Sequence, residues 1–417
     1  MSPFELRPLG TEPQQADFVP LIWGAPRTPG TSVRADIDPW LSELGPCSEA
    51  SIDLVRIAAA AYMADRQTPR GAGYTRTMRI HVQVTNADRW MGALDDLADL
   101  LYWLTGDVWE ISVATDRAER PEAAEPPEER PDTVALLSGG LDSLAGALAA
   151  TPDSRRLFLG HWDNPTVKAS QDRTWSWLQN VPGFSGEYRQ IHLCEAATKL
   201  EISTRSRCLL FFALATATAT ATGAGTVEVP ENGFTSLNPS LGNDRGGVLS
   251  TRSTHPWTIF LFQQLLGAVG IDVLVRNPYE LMTKGELVAA ASKRAAIVEG
   301  VPLTLSCGKL GGHHYRGGNP NYNCGLCVAC LTRRGALLSA GIKDDTPYLM
   351  NTIERAGLPR LLRARDADLR AVRTATEEGF ADDFALLAQG PFPEAYDLAA
   401  AADLARRGIA ELRRALP

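Results

Sequence analysis

Apolar and polar positions along this chain recur with two different periods, and the switches between them outline its elements. Arg79 to Val84 alternates every second residue, as a half-buried strand does. From Asn86 onward Trp90, Leu94, Leu97, Leu101 and Leu104 recur at helical spacing on one face, and Val108 to Val113 returns to strand character. Asn86 is placed to cap that helix and Gly106 to stop it. With an earlier helix expected over Ile52 to Asp65, residues 1–115 read as a small α+β unit, and no catalytic constellation stands out in it.

A boundary follows at Asp116 to Pro131, where six acidic residues and four prolines fill sixteen positions without one large apolar side chain. Such a stretch has too little to bury and reads as a linker. Beyond it, strand-like runs alternate with helical ones: Thr133 to Leu137, then a helix from Asp142; Arg156 to Gly160; Glu187 to Leu193, then a long helix from about Thr198; Thr226 to Pro230; and Val273 to Asn277, then a helix from about Thr283. That alternation predicts a doubly wound α/β fold, a parallel sheet with helices on both faces, over residues 132–343. Residues 344–417 read as helical, with Leu398, Ala401, Leu404, Ile409 and Leu412 expected inside. The alternation of Ala and Thr over Ala213 to Thr222 has the period of a strand, yet reads as the end of a closely packed helix, because alanine is the best helix former.

Composition narrows the class. Of 417 residues, 44% are hydrophobic and 22% charged, as in ordinary globular proteins, and the length suits two or three units. A net charge of −8 argues against an extended nucleic-acid partner, which needs Lys and Arg to neutralise several phosphates. No apolar run is long enough for a membrane span and Met1 to Gly10 lacks the pattern of a signal peptide, so the cytoplasm is the expected compartment. Seven cysteines, three of them crowded together, fit metal binding better than disulfides.

The densest chemistry lies at Ser138, Gly139, Gly140, Leu141, Asp142 and Ser143, directly after the apolar strand and before a helix. Glycines let backbone N–H groups approach oxyanions, and the first helical turn adds unpaired donors and its positive dipole end. Asp142 either holds Mg²⁺ or orients the loop. Loops of kinases and common ATPases need a Lys before Ser or Thr, which is absent here. A second cluster follows C-x2-C-x2-C at Cys324, Cys327 and Cys330, with sixteen residues between Cys307 and the first of them. Four thiolates suit a closed, structural Zn²⁺ site. An iron–sulfur cluster is the rival, although the proline and fourth cysteine of ferredoxins are missing downstream; His313 or His314 could replace one thiolate. Cys47, Cys194 and Cys208 read as small buried hydrophobes.

The loop resembles the SGGxDS signature of PP-loop ATP pyrophosphatases, which split ATP into AMP and pyrophosphate. Together with Ser306-Cys307 and Cys324-Gly-Leu-Cys327-Val-Ala-Cys330-Leu-Thr-Arg333, it makes residues of about 132–340 resemble the 7-cyano-7-deazaguanine synthase (QueC-like) family. What the resemblance implies is adenylation of 7-carboxy-7-deazaguanine with MgATP, then displacement of AMP by an amine, which in that family is ammonia on the way to a nitrile. Two departures stand out. His161-Trp-Asp163-Asn-Pro replaces the Tyr-Gly-Gln after the second strand, and Ser250-Thr-Arg252-Ser-Thr-His255-Pro256 replaces a Tyr-Pro-Asp-Cys-Arg pocket segment. With the N-terminal unit and linker, these are similar to the longer QueC-like proteins of anti-phage systems, the Qat system and a branch of the cyclic-oligonucleotide systems. That similarity implies an amide to a partner protein as amine acceptor.

Arg207, Arg252, His255 and Lys284 are the expected residues around nucleotide and substrate, where a cation near phosphates stabilises charge as AMP is transferred. Glu231 and Asn232 follow a strand at the edge where parallel sheets present ligand contacts, and Asp163 is placed likewise. Competing readings are a PP-loop tRNA-modifying enzyme, an NAD or GMP synthetase-type amidotransferase, and a nucleotide-binding module without turnover.

Overall fold

A computed structural model describes residues 2–24, 28–35, 41, 43–71, 75–116, 124–125, 129–149, 154–195, 199–201, 204–241, 252–292, 295–379, 386–387 and 390–416. The strands among the described residues are β1 Phe4–Pro8, β2 Val19–Gly24, β3 Val33–Ala35, β4 Thr77–Val84, β5 Val108–Thr115, β6 Thr133–Leu136, β7 Arg156–Trp162, β8 Glu187–Glu195, β9 Thr226–Glu228 and β10 Leu274–Arg276. They form one sheet in the order β10-β9-β6-β7-β8-β3-β2-β1-β4-β5. Every pairing is parallel except β3 with β8, where Val33 lies opposite Glu195 and Ala35 opposite Leu193. The expected α/β fold is therefore present. The N-terminal strands, read as a small α+β unit, are themselves parallel and continue the same sheet.

Within residues 132–343, β6 lies in the middle, β7 and β8 build outward on one side, and β9 and β10 on the other. The winding direction reverses at β6, which opens a crevice beyond the carboxyl ends of β6 and β9 where such sheets bind ligands. The loop Ser138–Ser143 leaves β6 there, and Glu231–Asn232 follow β9.

Helix Glu49–Gln67 packs on helix Arg207–Thr222 and joins the halves. Ala58 to Ala61 on the first and Ala213, Ala215, Ala217 and Ala219 on the second are fully buried, because small side chains let two helix backbones approach closely. One apolar cluster runs from Phe4 through Trp90 and Phe212 to Val275. The Ala and Thr alternation is thus helical; Thr218 and Thr222 return their hydroxyls to Leu214 O at 2.7 Å and Thr218 O at 2.8 Å, which hides their polarity.

That helix starts at Arg207, not near Thr198 as its sequence suggested. Asp65 supplies the reason: its Oδ2 accepts from Arg205 N at 2.9 Å, Ser206 N at 3.1 Å and Ser206 Oγ at 2.8 Å, fixing a turn just ahead of it. The helix expected from Asn86 is two, Ala87–Met91 and Leu94–Thr105, interrupted at Gly92 and Ala93; Asn86 accepts from Arg89 N and Gly106 ends the second in the left-handed region. Asp116 is buried against Arg56, whereas 117–123 and 126–128 of the acidic stretch lie outside the described residues. The C-terminal region supplies helices Leu358–Glu378 and Leu398–Arg413; Ala401, Leu404, Ile409 and Leu412 are buried and Leu398 half-buried.

Candidate functional site

The loop after β6 is held in shape from three sides. Gly139 adopts φ +80°, and a Cβ there would stand 2.9 Å from Gln171 N and 3.0 Å from Ser170 Oγ, so strain and crowding both call for glycine. Its carbonyl accepts from Ser170 Oγ at 2.8 Å and Leu305 N at 2.9 Å. Ser138 Oγ accepts from Gly140 N and donates to Ser143 Oγ, both at 3.3 Å, and Ser143 Oγ donates to Gly140 O at 3.0 Å. Leu141 N, at the start of helix Leu141–Ala149, donates to Ser306 Oγ at 3.2 Å. Glycine backbone, two hydroxyls and a helix start converge, the combination that receives an oxyanion.

Three other predicted residues meet Asp142. Lys284 Nζ lies 2.5 Å from its Oδ1, and Asn232 Nδ2 donates to its Oδ2 at 2.8 Å and to Glu231 Oε1 at 3.1 Å. Burial pulls the Asp142 carboxyl upward, but the Lys284 charge and hydrogen bonds from Glu231, Lys284 and Asn232 hold it at about 2. Glu231 moves the opposite way: burial and then the Asp142 charge push it well above the usual carboxylate range. Lys284 pairs with Asp142, and Glu231 beside it is shifted toward its protonated form. Two carboxyls shifted in opposite directions beside a lysine line the floor of the loop, with the oxygen donors that a hard divalent cation accepts. Asn277 completes it by donating to Glu231 O at 2.7 Å.

The other predicted residues lie in neighbouring contacts. Asp163, just after β7, accepts from Tyr62 and from Arg66 at 3.3 Å, both on the N-terminal helix, and Arg207 stands 3.8 Å away. Burial opposes its ionisation, and the Arg207 charge and the Tyr62 hydroxyl overcome that and lower it. Arg252 lies over the Trp103 ring at 3.8 Å and donates to Trp103 O at 3.0 Å. His255 caps helix Pro256–Ala268 through Nδ1, which accepts from Trp257 N at 3.1 Å, and its ring meets Trp103 and Phe392. Burial, then Arg252, pushes His255 down to about 3, so it is neutral. A hydroxyl chain links this segment to the floor: Thr254 Oγ1 to Ser236 Oγ at 2.9 Å, and Asn277 Nδ2 to Ser236 Oγ at 3.3 Å. Ser250 and Thr251 lie outside the described residues.

The sulfurs of Cys307, Cys324, Cys327 and Cys330 all lie within 4.8 Å of one another. Cys307 and Cys327 are 3.9 Å apart and Cys324 and Cys330 3.8 Å, too long for a disulfide and close to the ~3.8 Å edge of a tetrahedron with Zn–S bonds of about 2.3 Å. Backbone donors point at sulfur: Cys324 N and Lys309 N at Cys307 Sγ, 3.4 Å each, and Cys327 N at Cys324 Sγ, 3.3 Å. Mutual contacts push Cys324 and Cys327 down and Cys307 and Cys330 up, and the charge near Cys324 in turn raises Arg365 against its burial. This cluster could hold a structural zinc, whose four thiolates would carry a net negative charge that Arg365 offsets. Cys47 and Cys208 are half-buried, the Cys208 thiol pushed up to about 12 by burial; the side chain of Cys194 lies outside the described residues.

One stretch of 77 residues is 36% identical to the 7-cyano-7-deazaguanine synthase 1 of Mesorhizobium japonicum. It covers 18% of this chain and 28% of that synthase, so the chain matches little more than a quarter of its relative's length. No family model matches the chain.

Several residues of the site went unassigned in the sequence. Arg333, fully buried, donates to Thr304 Oγ1 at 2.7 Å, Val301 O at 2.6 Å, Thr346 Oγ1 at 2.8 Å and Ser306 Oγ at 3.2 Å. Ser306 therefore holds the Ser138–Ser143 loop with its hydroxyl while its neighbour Cys307 sits in the thiol cluster. The adjacency Ser306-Cys307 and the position of Arg333 after Cys330 were the available signals. Nothing near Tyr62 or Arg66 marked them as partners of Asp163. No helix among the described residues is long and apolar enough to cross a membrane.

Proposed function

We propose that this chain adenylates the carboxylate of a 7-deazaguanine acid with MgATP and passes the acyl group to an amine on a partner protein. The observation that carries the reading is the loop Ser138–Ser143 at the crevice with Lys284, Asp142, Glu231 and Asn232 beneath it. The similarity to a 7-cyano-7-deazaguanine synthase supports the substrate class.

In this reading the backbone donors of Gly139 to Leu141 and the hydroxyls of Ser138 and Ser143 bind the phosphates. Asp142 and Glu231 would hold the Mg²⁺ that accompanies ATP through their carboxyl oxygens, and the ion would supply charge neutralisation at the phosphates. Lys284, held beside Asp142 at the loop, stabilises charge on the leaving group. The substrate carboxylate oxygen attacks the α-phosphorus, the bond to the bridging oxygen breaks, and pyrophosphate departs with both electrons. An amine nitrogen then attacks the acyl carbon, AMP leaves, and the nitrogen gives up a proton. Arg207 and Arg252 attract the acidic substrate, His255 braces the segment that carries Arg252, and the N-terminal half of the sheet receives the partner in anti-phage defence. Cys307, Cys324, Cys327 and Cys330 would hold zinc, which stiffens the turn carrying Ser306.

The second reading is a nitrile-forming synthase using ammonia, favoured by the name of the matched relative. The test measures AMP and pyrophosphate from MgATP with and without 7-carboxy-7-deazaguanine, then product masses with ammonia or a candidate partner. Acid-dependent AMP supports adenylation, and the mass distinguishes nitrile from protein adduct. AMP with a different acid alone would retire the deazaguanine assignment.

A further inference from the structure

Lys284 is the first residue of its helix, so where its ammonium points depends on how that helix start is fixed. Thr283 and Glu286 form a reciprocal cap: Glu286 N donates to Thr283 Oγ1 at 3.1 Å and Thr283 N to Glu286 Oε2 at 2.9 Å. Helix Leu398–Arg413, distant in the chain, reaches this cap with two residues spaced to share a helix face. Glu411 accepts from Thr283 Oγ1 at 2.5 Å and from Gly285 N at 3.0 Å, and Arg407 grips both oxygens of Glu286.

Two glycines leave room for the contact. A Cβ on Gly285 would collide with the Glu411 carboxylate, and one on Gly335 with the Glu411 carbonyl. The same helix also lies on the opposite wall of the site, where Gly408 admits Phe234 and Leu404 meets Gly233, both in the short helix that follows Asn232.

We infer that Glu411 is a positioning residue, which fixes the cap of the Lys284 helix and thereby holds the Lys284 ammonium at the phosphate loop. The C-terminal helix then sets the geometry of the nucleotide site, although no residue of it touches the loop carboxylates. The catalytic part of this inference rests on the role proposed above for Lys284; the positional part does not.

The experiment has two arms on the full chain. In the first, lysines of the folded protein are labelled with a small amine reagent and read by peptide mass spectrometry. E411Q keeps the side-chain volume but sets an amide N–H₂ against Thr283 or Gly285, so Lys284 should label several-fold faster, while Lys168 and Lys343, already 41% and 81% exposed, label as before. In the second, kcat for AMP formation should fall about tenfold with KM for ATP within about twofold, as when one hydrogen bond of a charged group is lost. In a K284M background, E411Q should lower kcat no further. If E411Q does not fold, R407Q, at the more exposed end of the same contact, serves in its place.

Unchanged Lys284 labelling overturns the inference whatever the turnover. An effect of E411Q that adds in full to that of K284M overturns it too. Faster Lys284 labelling in a protein whose wild type makes no AMP upholds the positioning and removes the adenylation reading instead.

Discussion

Replacing Lys284 by Met should turn a paired buried carboxylate into an unpaired one. Lys284 Nζ and Asp142 Oδ1 are 2.5 Å apart, with side chains only 8% and 6% exposed. Met retains most of the stem, so the packing loss is small. Removing one partner of a buried pair costs about 3–5 kcal/mol, because the remaining charge has neither water nor a counter-ion. Asp142 escapes part of that cost by taking up a proton, and this gives the effect a pH signature. In the wild type its folded value, about 2, lies below the ordinary 3.8, so its stabilisation is present above pH 3.8 and is lost as pH falls through about 2. Without Lys284, the upward pull of burial is opposed only by the hydrogen bonds from Glu231 and Asn232, so the folded value rises and the destabilisation grows as pH rises through it. K284M should therefore lose about 3–5 kcal/mol at pH 8 and clearly less near pH 4.5. Urea unfolding followed by tryptophan fluorescence measures this, with D142N/K284M as the companion that restores much of the loss. A K284M protein as stable as wild type at pH 8, or no recovery in the double variant, would refute the pairing.

Three further outcomes are expected. Elemental analysis should find about one zinc per chain and no visible absorbance of an iron–sulfur centre, and C327S should lose the metal and lower the melting temperature; iron at that stoichiometry would overturn the zinc assignment. E231Q should stabilise the ligand-free protein increasingly as pH rises from the ordinary 4.5 of a glutamate, because above it the unfolded carboxyl gives up its proton more readily than the folded one, and it should weaken Mg²⁺-dependent nucleotide binding; a pH-independent effect on stability would count against the raised carboxyl. His255, held down at about 3, binds a proton less readily folded than unfolded, so its contribution is intact above pH 6.5 and falls away toward pH 3. H255N keeps a capping acceptor and should remove about 2 kcal/mol of that loss at pH 5, read by denaturation at pH 5 and 7.5; equal acid sensitivity in both proteins would show that His255 is not its source.

Local signals carried much of this protein. The strand-glycine-helix order at Ser138–Ser143 was legible as a turn at a helix start, because such a turn is built from consecutive residues. Cysteine spacing pointed to a four-sulfur cluster for the same reason, since three of its members share one turn and helix start. Strand and helix alternation predicted the α/β fold, and the alanine-threonine run was helical as its composition implied. What needed the tertiary structure were contacts between residues far apart in sequence. The union of both halves into one sheet rests on a three-residue pairing of β3 with β8, too short to show a pattern. The late start of the Arg207 helix rests on Asp65, and the surroundings of Asp163 on Tyr62 and Arg66, which arrive from another helix. Asp142, Glu231, Asn232 and Lys284 were legible singly as charged or polar residues at element ends. That their proton affinities shift in opposite directions was not, because proton affinity depends on burial and on the nearest charge, and only folding sets either.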